Sequence, residues 1–349
     1  MYHHKVLFVC FCVVYSQHKL EDEFDSIENG FEEVGNFLRE NETDKTVAFS
    51  PFNYEIAQRM GSYVASYENQ NSTGKKFSSI EELLESIETD KSLFIYNEFR
   101  SGQDRVLDLR AGKNKVKREG IPASSINKFE KNLRSKSDFK NIKIDSCRSL
   151  LQFNGNLKHI FDKLKTHEKT FKTGNNEEVR RDFMSASRLI KVCSIKVEGK
   201  KFYVTILPYN VKQSQRHLVH LIPMEDGIDL KKLWSKFCKV IDFNFNKLMN
   251  LCDEKHVKLT IPIIENFKSC LTTKLCLKSD ENLKFDYVQE NYLNINEGNL
   301  FPMKTTRERH LDVLPILKIE ITAIRPYIAF VYDSELDKII CVLKDTGKQ

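Results

Sequence analysis

An α+β domain is what this sequence predicts, and three observations predict it. Apolar residues recur at three- and four-residue spacing near the start of the chain, strand-type runs crowd the part beyond Phe161, and the last two runs flank a short polar turn. Helices early and strands late segregate the two element types, which is the pattern of an α+β rather than an alternating α/β chain.

Phe24, Ile27, Phe31, Val34 and Leu38 fall on one face of a helix, because residues three and four apart stack on the same side. Val47 to Phe49 is a short apolar strand. Ser50-Pro51 ends it, since proline brings no N–H to a ladder yet suits the first turn of the next helix, Phe52 to Tyr67. Ser79 to Glu85 opens another short helix, Leu93 to Phe99 alternates as a strand, and the polar, basic stretch Gly102 to Gly120 reads as a loop. Ser124 and Ser125 cap a helix carrying Ile126, Phe129 and Leu133 on one face, and Asn141 to Ile144 leads to the strand Ser149 to Phe153. Further strands are predicted at Lys201 to Leu207, His217 to Pro223, Val257 to Ile263, Tyr292 to Ile295, Ile319 to Ile324, Pro326 to Tyr332 and Lys338 to Leu343, with one helix at Leu230 to Lys239. Asp333 to Asp337 joins the last two strands as an antiparallel hairpin, and their near-continuous apolar content predicts burial on both faces.

With 349 residues, 40% of them hydrophobic and only 13 Gly and 8 Pro, the chain can bury a substantial core. Lys and Arg outnumber Asp and Glu by 55 to 49, too slight an excess for a dedicated nucleic-acid binder. Residues 1–16, MYHHKVLFVCFCVVYS, place Lys5 ahead of the apolar run Val6 to Tyr15, with Val14 and Ser16 before Gln17. This is the pattern of a signal peptide, so residues 17–349 are expected as one secreted, extracellular, monomeric domain; a core strand at the N-terminus is the alternative. The run is about half of the ~20 residues that a spanning helix needs, and Glu21, Asp22 and Glu23 follow at once, so no membrane span is expected. Asn41 and Asn71 head sequons and are candidate N-glycosylation sites.

Nine cysteines are present; Cys10 and Cys12 would leave with the signal, and the remaining seven are an odd number, so at least one stays free or pairs between chains. No CxxC or HExxH string occurs, and neither His217 with His220 nor Cys270 with Cys276 has the spacing of a familiar zinc site, so no metal or other cofactor is expected. The two histidines read instead as residues at the rim of a buried strand. No G-x-S-x-G elbow, P-loop or paired-carboxylate motif stands out, Ser50 is explained by its Ser-Pro context, and the chain is not expected to be an enzyme.

Several segments, in order, resemble the serpin (serine protease inhibitor) superfamily over most of residues 24–345. VAFSPFN (Val47 to Asn53) is similar to the family's buried strand and its entry to the second helix, and INKF (Ile126 to Phe129) with FKNIKI (Phe139 to Ile144) to the helix lying across the central sheet. The most specific piece is HIFDKLKTHEKTFKTGNNEEVRRDFMS (His159 to Ser185). ILPYN (Ile206 to Asn210), HLVHLIPMEDGIDLKKL (His217 to Leu233), VKLTIPIIENF (Val257 to Phe267) and the C-terminal ITAIRPYIAFVYD (Ile321 to Asp333) follow, with Ile324 and Tyr327 departing from the usual signature.

The resemblance implies a serpin-like α+β fold: a large central, mainly antiparallel sheet, a smaller barrel-like half and about seven to nine helices. It also implies shortening between Leu93 and Pro122 and between Lys274 and Tyr292, where the family carries a further helix and strand. Inhibitory members offer an exposed loop to a serine or cysteine protease and, once cleaved, insert it into the central sheet. The corresponding segment here is about 297–318, with Glu297, Gly298, Asn299, Leu300, Phe301 and Pro302 as its hinge. Inhibitory hinges carry small residues. Pro302 lacks a ladder N–H, and Phe301 and Met303 overfill small positions, so poor insertion is expected. Loop length places the cleaved bond near Leu311 and Asp312, while Arg307 and Arg309 suit a trypsin-like protease. Lys113, Lys115, Lys117 and Arg118 are a candidate sulfated-polysaccharide site, with a solvated loop as the plainer reading. A non-inhibitory binding or carrier protein is the alternative function.

Overall fold

The computed structural model describes residues 30–41, 44–67, 93–101, 104–112, 146–157, 161, 163–211, 214–277, 280–296 and 319–348. Its helices are α1 (Phe31–Glu40), α2 (Pro51–Tyr67), α3 (Leu230–Ile241) and α4 (Phe245–Leu251). The strands are β1 (Val47–Phe49), β2 (Leu93–Ser101), β3 (Asp104–Gly112), β4 (Ser146–Asn156), β5 (His167–Lys172), β6 (Glu178–Val197) and β7 (Lys200–Val211). They continue with β8 (Ser214–Pro223), β9 (Asp253–Pro262), β10 (Ile264–Leu277), β11 (Asp280–Asn296), β12 (Ile319–Thr322), β13 (Tyr327–Asp333) and β14 (Lys338–Asp345). The predicted helices at Ser79 to Glu85 and around Ile126 lie outside the described residues.

The strands form two sheets. One runs β1-β14-β13-β8-β7-β6-β9-β12, with β5 also paired to β6; the other runs β10-β11-β4-β2-β3. Each is antiparallel except at one junction, β9 with β12 in the first and β4 with β11 in the second. The fold is α+β, as the sequence predicts, and β13 and β14 form the expected hairpin with every residue buried.

Both faces of the nine-stranded sheet are covered, and alternation along its strands explains how. Leu218 and Ile222 of β8 point to the core shared with the five-stranded sheet and α2, where they join Phe52, Ile56, Ile95, Phe99, Leu151 and Leu293. Val219 and Leu221 point the other way, to α1 and α3, among Phe31, Val34, Trp234, Phe237 and Phe330. Trp234 satisfies its indole by donating to Phe31 O at 3.1 Å, and the Phe31 ring lies 5.8 Å from that of Trp234 and 6.1 Å from that of Phe330. Fully burying one such ring contributes roughly 2–3 kcal/mol. Lys338 is buried and pairs with half-buried Glu55 (2.6 Å), and Arg216 is buried and pairs with buried Asp333 (2.8 Å).

Part of the stretch read as a loop from Gly102 to Gly120 is a strand: Asp104–Gly112 pairs antiparallel with β2 from Phe94↔Gly112 to Ser101↔Asp104, while residues 113–120 lie outside the described residues. Only residues 102 and 103 separate β2 from β3, and only 278 and 279 separate β10 from β11. No helix fits between β2 and β3 or between β10 and β11, and residues 113–122 lie outside the described residues. Likewise the short strand predicted at Tyr292 to Ile295 is the end of the 17-residue β11.

Candidate functional site at the seam of the five-stranded sheet

The segment expected to carry function leaves from one sheet and returns to the other. β11 ends at Asn296, opposite Asn156 of β4, and Leu157 N donates to Asn296 O at 2.8 Å. The chain re-enters at β12, whose Ile319 lies opposite Val257 at the edge of the nine-stranded sheet. The hinge residues Glu297 to Pro302 and the cleavage candidates Arg307, Arg309, Leu311 and Asp312 lie between these ends, outside the described residues. Lys113, Lys115, Lys117, Arg118 and Asn71 also lie outside the described residues. Asn41 closes α1: its amide nitrogen donates to Phe37 O at 3.0 Å.

Next to the hinge, β4 and β11 pair directly and in parallel over eleven registered positions, from Ser146↔Asp286 to Asn156↔Asn296. A strand entering here would first have to break that whole ladder. On the inner side of the seam a layer of fully buried polar residues replaces the apolar side chains found above and below it. Gln289 accepts from Ser50 N at 2.8 Å and donates to Ser50 O at 2.9 Å. Asn291 donates to Ala48 O at 2.9 Å and to Gln289 at 3.0 Å. Ser50 Oγ donates to Ile340 O at 2.6 Å and accepts from Asn53 N at 3.0 Å, which caps α2. Asn97 on β2 donates to Asn53 Oδ1 at 2.6 Å and accepts from Ser149 of β4. The layer thus links β11, the start of α2, β2 and β4, and groups so linked stabilise one arrangement of the strands over others.

Two titratable groups sit in this seam. Burial holds the Tyr287 hydroxyl well above the usual phenol range, and burial likewise pushes the Cys147 thiol far up, against a hydrogen bond from Ser149. Both are therefore neutral. On the outer side, Arg148 of β4 pairs with Glu290 of β11 across the seam, while Tyr292 donates to Glu290 at 2.9 Å and Lys268 approaches it at 3.6 Å. Burial alone would raise the Glu290 carboxyl, but the bonds from Arg148 and Tyr292 outweigh it and hold it below the usual carboxylate range.

His220 is buried and bonded to Thr205 (3.3 Å), and His217 lies 3.2 Å from Ser334 Oγ, as expected of histidines along a buried strand. Among the described residues no group of three or more His, Cys, Asp or Glu is placed to hold a metal. Also among them, no helix is long and apolar enough to cross a membrane. Among the cysteines whose side chains are described, Cys193 and Cys252 form a disulfide, while Cys147, Cys238, Cys270 and Cys341 are free. Sequence reasoning missed the polar layer. The signal is present: Asn97 stands between inward-facing Ile95 and Phe99, and Gln289 and Asn291 between Tyr287 and Leu293.

Two sheets arranged in this way, with a long connection from the seam of one to the edge of the other, define a serpin fold, and solved structures bear this out. A native protease nexin-1 with heparin superposes with a TM-score of 0.60 at 13% identity, covering 92% of this chain and 97% of that one. A serpin from the trematode Schistosoma haematobium gives 0.61 at 16%, covering 92% and 99%, and uncleaved ovalbumin gives 0.59 at 14%, covering 92% and 98%. No curated protein matches the sequence. Residues 135–281 match the family model described as serpin (serine protease inhibitor).

Proposed function

We propose that this chain is a secreted inhibitor of serine-type endopeptidases. It offers residues 297–318 as a substrate-like ligand and does not trap its target by strand insertion. The observation that carries this reading is the eleven-position ladder closing β4 against β11 beside the hinge Leu300, Phe301 and Pro302. Insertion would exchange that ladder for one in which Pro302 supplies no N–H and Phe301 overfills its position. Arg307 and Arg309 fit trypsin-like enzymes. Secretion rests on the signal pattern of residues 1–16. A sulfated polysaccharide is the proposed partner of Lys113, Lys115, Lys117 and Arg118, in keeping with heparin in the nexin-1 structure.

Incubation with a panel of trypsin-like proteases tests the reading. The expected result is competitive slowing of the protease and cleavage after Arg307 or Arg309, with no complex surviving denaturing electrophoresis. A denaturation-stable covalent complex would return the chain to the trapping inhibitors. Neither cleavage nor slowing by any member would instead support the non-inhibitory binding or carrier role, which the bulky hinge also suits.

A further inference from the structure

Away from the seam, the corner between α3 and α4 combines three features that the fold does not require. α3, LKKLWSKFCKVI, carries four lysines and no carboxylate, and α4 adds Lys247. Leu230, Leu233, Trp234, Phe237, Cys238 and Ile241 are buried and Val240 is half-buried, so the rest of α3 is left to lysines and Ser235. Over residues 230–251 there are five lysines against a single carboxylate, Asp242, which lies 3.8 Å from Lys247 with both side chains exposed. Lys236 and Lys239 make no ion pair or hydrogen bond among the described residues. Of the carboxylates on adjoining elements, Glu198 is held by Lys232 at 2.6 Å and Asp253 by Lys255 at 3.2 Å, and Glu254 follows on β9.

Set among these lysines are two large apolar side chains, Phe243 at 47% and Leu251 at 44% exposure. Phe243 is four residues from both Lys239 and Lys247, and Leu251 is four from Lys247. The backbone at the corner is unusual as well. Asp242 and Phe243 are consecutive left-handed residues, with φ of 54° and 53°. A helix end in this conformation takes Gly or Asn by preference, and an aromatic residue there is strained. Bonds from Phe243 N to Cys238 O at 3.1 Å and from Asn244 N to Ile241 O at 3.0 Å hold it in place. Folding alone gives no reason for a half-exposed phenylalanine at such a position.

We infer that this corner docks on an anionic lipid surface, with Phe243 and Leu251 entering the headgroup boundary and Lys236, Lys239 and Lys247 meeting the lipid charges. Apolar side chains ringed by lysines bind an interface by this combination of burial and attraction. A soluble polyanion would use the lysines alone and leave the two apolar side chains without a role, so the observations favour the bilayer. The inference is independent of protease binding through residues 297–318.

Co-sedimentation of the full chain with phosphatidylcholine vesicles, with and without phosphatidylserine, tests this. Binding is expected only with phosphatidylserine and should weaken as salt is added. Phe243→Gly removes the ring and also the left-handed strain, so it should bind about ten-fold more weakly while melting no lower than the parent. Replacing Lys236 and Lys239 by Gln should weaken binding about five-fold for each lysine. No phosphatidylserine-dependent binding at low salt would overturn the inference. Undiminished binding by Phe243→Gly would also overturn it, reducing the corner to a patch for polyanions.

Discussion

Gln289 and Ser50 are joined by two hydrogen bonds at once: the Gln289 carboxamide accepts from Ser50 N at 2.8 Å and donates to Ser50 O at 2.9 Å. Both residues are fully buried. One side chain of β11 thereby takes the place of a strand neighbour for the residue that opens α2, and it does so directly beneath the seam where β11 meets β4.

Gln289→Ala should therefore cost more than a typical core truncation of its size. It strands the Ser50 N–H and carbonyl, and an unsatisfied buried group costs about 1–3 kcal/mol. The expected loss is about 2–4 kcal/mol in urea unfolding. A loss under about 0.5 kcal/mol, typical of a surface site, would show that the bridge is not formed.

His220 makes the fold acid-sensitive. Burial lowers its imidazole to about 3, whereas the unfolded chain takes up that proton near pH 6.5. Between these values the unfolded state binds the extra proton, so stability falls as pH falls, by at most about 1.4 kcal/mol per pH unit for this one group. Chemical denaturation from pH 7 to pH 4 should show a shallower decline in His220→Gln than in the parent. Parallel declines would contradict the assignment.

The six cysteines whose side chains are described should fall into three kinds. Native alkylation is expected to label Cys270, which is exposed, and to spare buried Cys147, Cys238 and Cys341 until the protein is denatured. Cys193 and Cys252, 59 residues apart, should label only after reduction. Replacing both by Ser should lower stability by about 2–4 kcal/mol. Peptide mass mapping reads the labels, and native labelling of Cys193 would exclude the bond.

How much of this could be read beforehand depended on how cleanly each element separates its faces. α1, α3 and the β13–β14 hairpin were legible because each buries an unbroken apolar stripe or run, and α2 because Ser50-Pro51 marks its start. β3 escaped because Val106, Leu107 and Leu109 lie among charged residues in a basic stretch. β6 escaped for a related reason: its first five residues are exposed or half-buried, and its buried positions begin at Phe183. β11 was recognised only at its C-terminal end, since Gln289 and Asn291 interrupt the apolar alternation. From sequence, a polar residue facing a buried partner looks the same as one facing water, and only the tertiary placement of Ser50 and Ala48 distinguishes them.

The central claim is that β4 and β11 stay paired and that residues 297–318 do not enter between them. It is tested most directly by the melting temperature before and after a non-target protease nicks the chain between Leu300 and Leu317. A change of no more than a few degrees is expected, because no strand is added. A rise on the order of tens of degrees would mean that the segment inserts despite Pro302, with new ladder bonds and burial, and would contradict it.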